Sequence, residues 1–276
     1  MESKGSQNTE CRTPTGERRT LNGDGERRTA NTSTAVPRTP NSEPGESPPE
    51  KAYSLWQMIR VVTFDAAGTL IRLVKPPGTT YAESAQAFGY QLDAEKLQIA
   101  FRAAWKCLAP PEETPGPSPD DDRGWWKELV KRTMREAGYR IEPFNAYFDD
   151  IYATFARPGI WELFPGIPAL LAELARLGIR LGVISNFDRR LYSVLDHLSI
   201  LRAFENIIIS SEVGVSKPAA RIFLEAARRF QVEPAEMLHI GDDPDLDEKG
   251  ALAAGCKSFL VDHNSDGMQA IFRFLR

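Results

Sequence analysis

Side chains that could carry out chemistry together follow four short apolar runs of the sequence. They are Asp65 and Thr69 in VVTFDAAGTL, Ser185 and Asn186 in VISNFD, Lys217 in GVSKP, and Asp242 and Asp247 in HIGDDPDLD. A carboxylate can act as a nucleophile or bind a hard cation, and a lysine can offset its charge. A hydroxyl and backbone N–H groups can hold an anionic oxygen. The set predicts a site for an anionic substrate and for Mg²⁺, which prefers oxygen ligands.

The elements that would position these side chains alternate between strands and helices from residue 59 onward. Apolar runs predict buried strands at 59–68, 179–187, 206–214, 237–243 and 256–262. Amphipathic segments predict helices at 165–179, 189–200, 217–230 and 245–255. This alternation predicts a Rossmann-like α/β fold, in which helices cover both faces of a doubly wound parallel sheet. Because ligands bind at the carboxyl ends of parallel strands, the four segments should meet at one edge of the sheet.

Composition and periodicity divide the chain into four segments. Residues 1–54 are rich in small and polar residues and almost lack large apolar ones, so they predict a disordered tail that cannot offset its ordering entropy. Residues 55–75, with the first strand, form the first part of the core, and residues 163–276 form the rest. Residues 76–162 predict an inserted all-helical cap, with helices over 81–108, 124–138 and 144–158.

Bulk composition argues against several classes of partner. The net charge is −4, with no basic excess of the kind that nucleic-acid-binding proteins carry. No apolar run approaches the roughly 20 residues that a membrane-spanning helix needs. Three widely spaced cysteines contain no CxxC pair, and the start, MESKGSQNTECRT, lacks the apolar stretch of a secretory signal. We therefore expect a cytoplasmic protein that binds neither nucleic acid nor a membrane.

The four segments, in this order, resemble the motifs of the haloacid dehalogenase-like (HAD) hydrolase superfamily. DAAGTL at 65–70 is similar to its first motif, Ser185-Asn186 to its second, Lys217-Pro218 to its third, and GDDPDLD at 241–247 to its fourth. The resemblance covers about residues 59–265, including a helical insert after the first motif. The strings WWKELV, VISNFDRRL and KPAARIF resemble one branch of the superfamily more closely. The resemblance implies a Rossmann-like core with an inserted helical cap.

The resemblance also implies a nucleophile and a metal site. Asp65 would be both the nucleophile and a Mg²⁺ ligand. The backbone carbonyl of Ala67 would be a second ligand, and Asp242 and Asp247 would complete the site directly or through water. Lys217 would act in catalysis by pairing with Asp65 and with the phosphoryl group.

The second motif and the loop of the first would contact the substrate. By the same resemblance, the Ser185 hydroxyl, a catalytic group, and the Asn186 amide would hold the phosphoryl oxygens. Gly68 and Thr69, which follow the nucleophile, are further candidate substrate-binding residues. The implied substrate is a small phosphorylated molecule.

Ala67 departs from the pattern of the superfamily's phosphatases. These enzymes usually carry a second Asp two residues after the nucleophile, where it protonates the leaving oxygen and then activates water. An alanine can do neither, and losing general acid–base help typically costs about 10²–10⁴-fold in rate. The implied function is therefore a Mg²⁺-dependent, phosphatase-like hydrolase with weakened catalysis, acting on a small phosphorylated metabolite.

Two alternatives remain open at this point. One is a catalytically weak or inactive member that binds a phosphorylated ligand or a partner. The other is a metal-independent haloacid dehalogenase acting on a halogenated substrate, because the dehalogenases of the superfamily also lack the second Asp. Gly241-Asp242-Asp243 resembles the metal-binding form of the fourth motif, which ranks dehalogenation below phosphoryl chemistry.

Overall fold

The computed structural model of the protein describes residues 59–263 and residue 271. The tail predicted at 1–54 lies outside the described residues. Within the described part of the chain, we find no helix with the length and apolar character needed to cross a membrane.

Five parallel strands form the central sheet. The strands of the described residues are β1 (Val61–Phe64), β2 (Ile71–Leu73), β3 (Trp161–Leu163), β4 (Arg180–Ser185), β5 (Asn206–Ile209), β6 (Met237–Gly241) and β7 (Lys257–Leu260). The order in the central sheet is β5-β4-β1-β6-β7. Strand β1 lies in the middle, where Phe64 is level with Val183 of β4 and with Ile240 of β6. The non-sequential order confirms the predicted doubly wound parallel sheet.

Helices cover both faces of this sheet. The described residues form helices α1 (Pro77–Gln86), α2 (Ala94–Cys107), α3 (Arg123–Glu136), α4 (Phe144–Thr154), α5 (Ile167–Arg176), α6 (Arg190–His197), α7 (Ser210–Val213), α8 (Ala220–Phe230) and α9 (Lys249–Ala253). Of these, α5, α6, α8 and α9 pack on the sheet, and α1–α4 do not. Side chains of β1 alternate between the faces, as strand geometry requires. Val62 and Phe64 pack in the apolar cluster that includes residues of α5 and α6, while Val61 packs with residues of α8 and α9.

Helices α1 to α4 have an apolar core of their own. Its fully buried members include Ala85 of α1, Leu97 of α2 and Tyr147 of α4. The Tyr147 hydroxyl donates a hydrogen bond of 3.0 Å to the carbonyl of Tyr81, which ties α4 to α1. We refer to α1–α4 as the cap. The cap follows the first strand of the sheet, as predicted, and its exact domain boundaries stay a prediction.

The chain enters and leaves the cap through an antiparallel pair of strands, β2 and β3. Ile71 pairs with Leu163, and Leu73 pairs with Trp161. Sequence analysis did not predict these strands, because three residues are too short to show a period. The remaining differences lie at element ends. The helix predicted over 81–108 is two helices, separated where Gly89 has a φ of +82° and Asp93 caps α2. The strand predicted over 206–214 ends at Ile209.

Candidate active site

The four chemical segments meet at the carboxyl edge of the sheet. Asp65 directly follows β1, and its backbone N–H donates a hydrogen bond of 2.8 Å to the carbonyl of Ile240 in β6. Ser185 ends β4, and Asp242 follows β6. A cavity of about 430 Å³ opens at this edge, between the core and the cap. Seven of the predicted site residues line it: Asp65, Ala67, Ser185, Asn186, Lys217, Asp242 and Asp247.

Lys217 joins two carboxylates at the floor of this cavity. Its amine donates hydrogen bonds of 2.5 Å to Asp65 Oδ1 and 2.6 Å to Asp247 Oδ1. The side chains are almost completely buried, at 2% exposure for Lys217, 9% for Asp65 and 2% for Asp247. Buried charges are retained when they are paired, since isolated ones carry a large desolvation cost. Lys217 therefore holds two carboxylates close together.

Burial and charge act in opposite directions on these groups. Burial alone would lower the pKa of Lys217, but the charges of Asp65 and Asp247 raise it above its usual range. Burial raises the pKa of Asp65, and Lys217 opposes that rise. Burial would also raise the pKa of Asp247, but the hydrogen bond with His239 and the charge of Lys217 hold it well below its usual range. Lys217 and Asp247 are therefore a charged pair at neutral pH.

His239 is a member of this network that sequence analysis did not identify. Its ring is completely buried, with Nε2 3.1 Å from Asp247 Oδ1 and Nδ1 3.0 Å from Thr63 Oγ1. Burial lowers the pKa of His239, so the ring is neutral. With its proton on Nε2, the ring donates a hydrogen bond to Asp247, and its Nδ1 accepts one from the Thr63 hydroxyl. The only sequence signal was the position of His239 in the strand that leads to the fourth motif.

The carboxylate of Asp247 is held on both of its oxygens. Lys217 and His239 contact Oδ1, and the backbone N–H of Asp243 donates a hydrogen bond of 3.0 Å to Oδ2. A Cβ at Gly241 would lie 2.2 Å from Asp247 Cγ, so glycine is required at that position for this placement. Oδ2 keeps one lone pair for a further partner.

Thr69 and Gly68 contact Asp242 and do not line the cavity. The Thr69 hydroxyl donates a hydrogen bond of 2.9 Å to Asp242 Oδ1. Gly68 has a φ of +103°, and a Cβ there would lie 2.5 Å from Asp242 Oδ2. These two predicted substrate-binding residues are thus placed to position a carboxylate.

Asn186 lines the cavity, but its side chain is already engaged. Its Nδ2 donates a hydrogen bond of 3.0 Å to the carbonyl of Lys217, and its Oδ1 accepts one of 2.7 Å from the Lys217 backbone N–H. The second motif thereby fixes the segment that carries the buried lysine. Asn186 would therefore bind an anionic oxygen through its backbone N–H.

Three carboxylates at the floor of the cavity fit a divalent cation. Asp65, Asp242 and Asp247 each offer an oxygen, and these atoms lie within 4.8 Å of one another. One lysine offsets only one of the three negative charges, and like charges at this spacing repel. The backbone hydrogen bonds that close the loop after β1 end on the carbonyls of Ala66 and Ile71, so none of them occupies the Ala67 carbonyl. The donor set consists of oxygens, as a hard cation requires.

Known proteins match most of this chain. A family model described as haloacid dehalogenase-like hydrolase matches residues 59–255. Haloacid dehalogenase-like hydrolase domain-containing protein 3 of Bos taurus is 37% identical over 205 residues, which are 74% of this chain and 82% of that protein. Rhythmically expressed gene 2 protein of Drosophila melanogaster is 30% identical over 220 residues, 75% of this chain and 84% of that protein.

Solved structures share the fold at lower identity. The HAD-hydrolase YfnB of Bacillus subtilis superposes with a TM-score of 0.62 at 16% identity, over 79% of this chain and 98% of that one. CbbY of Rhodobacter sphaeroides superposes with a TM-score of 0.52 at 22% identity, over 74% of this chain and 86% of that one. The bovine relative confirms the branch predicted from the strings WWKELV, VISNFDRRL and KPAARIF. The chain belongs to the haloacid dehalogenase-like hydrolase family.

Proposed function

We propose that the protein is a Mg²⁺-dependent hydrolase that cleaves a small phosphorylated metabolite by way of an Asp65 nucleophile. The observation that carries the proposal is the Lys217 amine, buried between Asp65 and Asp247 at 2.5 and 2.6 Å on the floor of the cavity. A carboxylate at the base of a concave site, paired with a cation, is suited to attack an anionic phosphorus centre.

Residues at the carboxyl edge of the sheet would carry out each step of this reaction. An oxygen of Asp65 attacks phosphorus, while the ammonium of Lys217 offsets the negative charge that the two bring together. The Ser185 hydroxyl and the Asn186 backbone N–H donate to the phosphoryl oxygens. His239 acts through Asp247, whose position it fixes, and so it is a positioning residue.

Asp65, Asp242, Asp247 and the Ala67 carbonyl would hold the metal. When bound, Mg²⁺ offsets the negative charge of the carboxylates and of the phosphoryl group. YfnB, which has the same fold, is described as bound to magnesium, and CbbY as in complex with phosphate. We extend both ligand classes to this chain as part of the proposal.

Ala67 makes the proposed hydrolysis slow for substrates with a poor leaving group. Its methyl group lines the cavity and can neither protonate a leaving alkoxide nor activate water. This observation favours a second candidate function, a protein of the same fold that binds a phosphorylated ligand with little turnover. A metal-independent dehalogenase is the third candidate, and the cluster of Asp242 and Asp247 beside Asp65 argues against it.

Phosphate release from acetyl phosphate and a panel of metabolite phosphates, with and without Mg²⁺, tests the proposal. The native protein should show metal-dependent release, Asp65→Asn should abolish it, and Ala67→Asp should raise it for metabolite phosphates. Inertness of both the native protein and Ala67→Asp would instead favour the ligand-binding function. Halide release from a 2-haloacid that persists in a chelator would favour dehalogenation.

A further inference from the structure

The walls of the cavity are unusually aromatic. Nine of its 25 lining residues are Phe, Tyr or Trp, whereas these residues make up 9% of the whole chain. Most of the nine belong to the cap, which faces the carboxylates of the core. Trp105 is 48% exposed although it lines this cavity, so a large apolar ring is available to a ligand.

Three of these rings form a continuous wall beside the carboxylates. Phe187 directly follows Asn186, and its ring centroid lies 6.4 Å from that of Trp126 and 5.9 Å from that of Trp161. The three residues come from α3, from β3 and from the segment that follows β4, so cap and core both contribute. A ring placed against them would make edge-to-face or offset contacts, which aromatic pairs prefer.

The charge of Arg190, which lines the cavity beside this wall, is already balanced. The Arg190 guanidinium lies 3.6 Å from the centre of the Tyr152 ring and 5.1 Å from that of Trp126. It also forms a bidentate ion pair with the buried Asp188, at 2.8 and 2.6 Å. Arg190 therefore stiffens the wall, and the wall presents apolar ring surface to the substrate.

The missing proton donor points to the same class of substrate. An alkyl phosphate leaves as a strongly basic alkoxide, which needs a proton from the enzyme. An aryl phosphate leaves as a phenolate, whose charge is delocalised over the ring and which departs without one. Ala67 removes the donor, and the aromatic wall offers a place for the ring of the leaving group.

We infer that the substrate is an aryl phosphomonoester, a monophosphate of a phenolic or similar aromatic hydroxyl. The inference rests on the proposed function and specifies its substrate. An Asp65 oxygen forms a bond to phosphorus as the bond from phosphorus to the phenolic oxygen breaks, and the phenolate keeps that electron pair. Water then attacks the aspartyl phosphate, releasing phosphate, a proton to solvent and the Asp65 carboxylate.

Two substrates whose leaving groups depart about equally readily distinguish the contribution of the aromatic ring from that of the leaving group. Phenyl phosphate and hexafluoroisopropyl phosphate release alcohols of similar acidity, but the second has no ring. With Mg²⁺ present, phenyl phosphate should have at least about tenfold higher kcat/KM. Acetyl phosphate, small and easily cleaved, reports the Asp65 chemistry alone. Its cleavage without a preference for phenyl phosphate overturns the inference and leaves the proposed function standing. Failure of all three substrates overturns both.

Binding provides a readout that is independent of turnover. Phenylphosphonate and methylphosphonate share the phosphonate group and differ by the ring. Trp126→Leu and Trp105→Leu should each weaken phenylphosphonate binding by about 2–10-fold, the usual worth of an aromatic contact, and leave methylphosphonate binding unchanged. Trp125→Leu is the matched control, because Trp125 adjoins Trp126 but does not line the cavity.

Thermal denaturation of each variant reports whether the fold is retained. Trp105 is the safer of the two tests, since it is half exposed and its replacement removes little core packing. If both lining variants bind phenylphosphonate as tightly as the native protein, the aromatic wall does not receive the ring and the inference is wrong. Equal weakening of both phosphonates would also contradict it.

Discussion

Replacing Lys217 with methionine should destabilise the fold strongly in the absence of divalent cations. Methionine keeps much of the length of the side chain and removes the charge. The amine at 2.5 Å from Asp65 and 2.6 Å from Asp247 would be lost, leaving two buried carboxylates without their counter-charge. Repulsion and desolvation would then act on both groups at once.

The structure sets the size of this effect. Removing one partner of a buried ion pair costs about 3–5 kcal/mol, because the remaining charge is uncompensated. Lys217 serves two carboxylates, and its side chain is only 2% exposed, so solvent screens the interaction weakly. We therefore expect a loss in the upper part of that range. Added Mg²⁺ should return part of the loss, since a cation bound to the folded state stabilises it by mass action.

Urea denaturation with and without Mg²⁺ measures the effect as a shift in the unfolding midpoint. Lys249→Met is the matched control, because Lys249 pairs with Asp245 on the surface, where both side chains are more than 70% exposed. That variant should leave the midpoint essentially unchanged. A Lys217→Met protein within about 1 kcal/mol of the native stability in chelator would refute the view that Lys217 balances the buried carboxylates.

Three further substitutions test how the carboxylates are positioned. His239→Leu should lower the free energy of unfolding by about 1–3 kcal/mol, because Asp247 loses a buried hydrogen-bond partner, and urea denaturation measures the loss. Thr69→Val should weaken Mg²⁺ binding, measured by calorimetric titration, because the hydroxyl that holds Asp242 is removed. Gly68→Ala should weaken it further, since its Cβ would lie 2.5 Å from Asp242 Oδ2.

The changes at Thr69 and Gly68 each have a control. Thr69→Ser keeps the hydroxyl and should retain native Mg²⁺ affinity. Gly89→Ala carries a comparable backbone strain, at a φ of +82°, with no atom within 4 Å of the new Cβ. It should lower stability without changing Mg²⁺ affinity. Native metal affinity in both Thr69→Val and Gly68→Ala would mean that Asp242 does not bind the metal.

The sequence predicted the core of the fold because its central strands are buried on both faces. VVTF of β1 has no exposed residue, and such a run between turn signals is typical of a central parallel strand. The order of the strand ends then placed Asp65, Ser185 and Asp242 on one edge of the sheet. Topology alone accounts for that much of the site.

What the sequence did not predict depends on contacts between distant side chains. His239 and Asp247 are eight residues apart in the sequence and lie in different elements, His239 in β6 and Asp247 in the helical turn that follows. The period of a single helix or strand therefore cannot predict their contact. Asn186 is engaged by the backbone of Lys217, a pairing that requires the packed fold. The aromatic wall combines residues of the cap, β3 and the segment that follows β4, whose approach follows from how the cap packs on the core.

The proposed function requires that Asp65 becomes phosphorylated. Intact-mass spectrometry of the protein, quenched in acid after incubation with acetyl phosphate and Mg²⁺, tests it directly. Because Ala67 cannot activate water, the aspartyl phosphate should accumulate, and the native protein should gain the mass of one phosphoryl group. Asp65→Asn should gain none. Absence of the adduct in the native protein, or the same adduct in Asp65→Asn, would rule out phosphoryl transfer to Asp65.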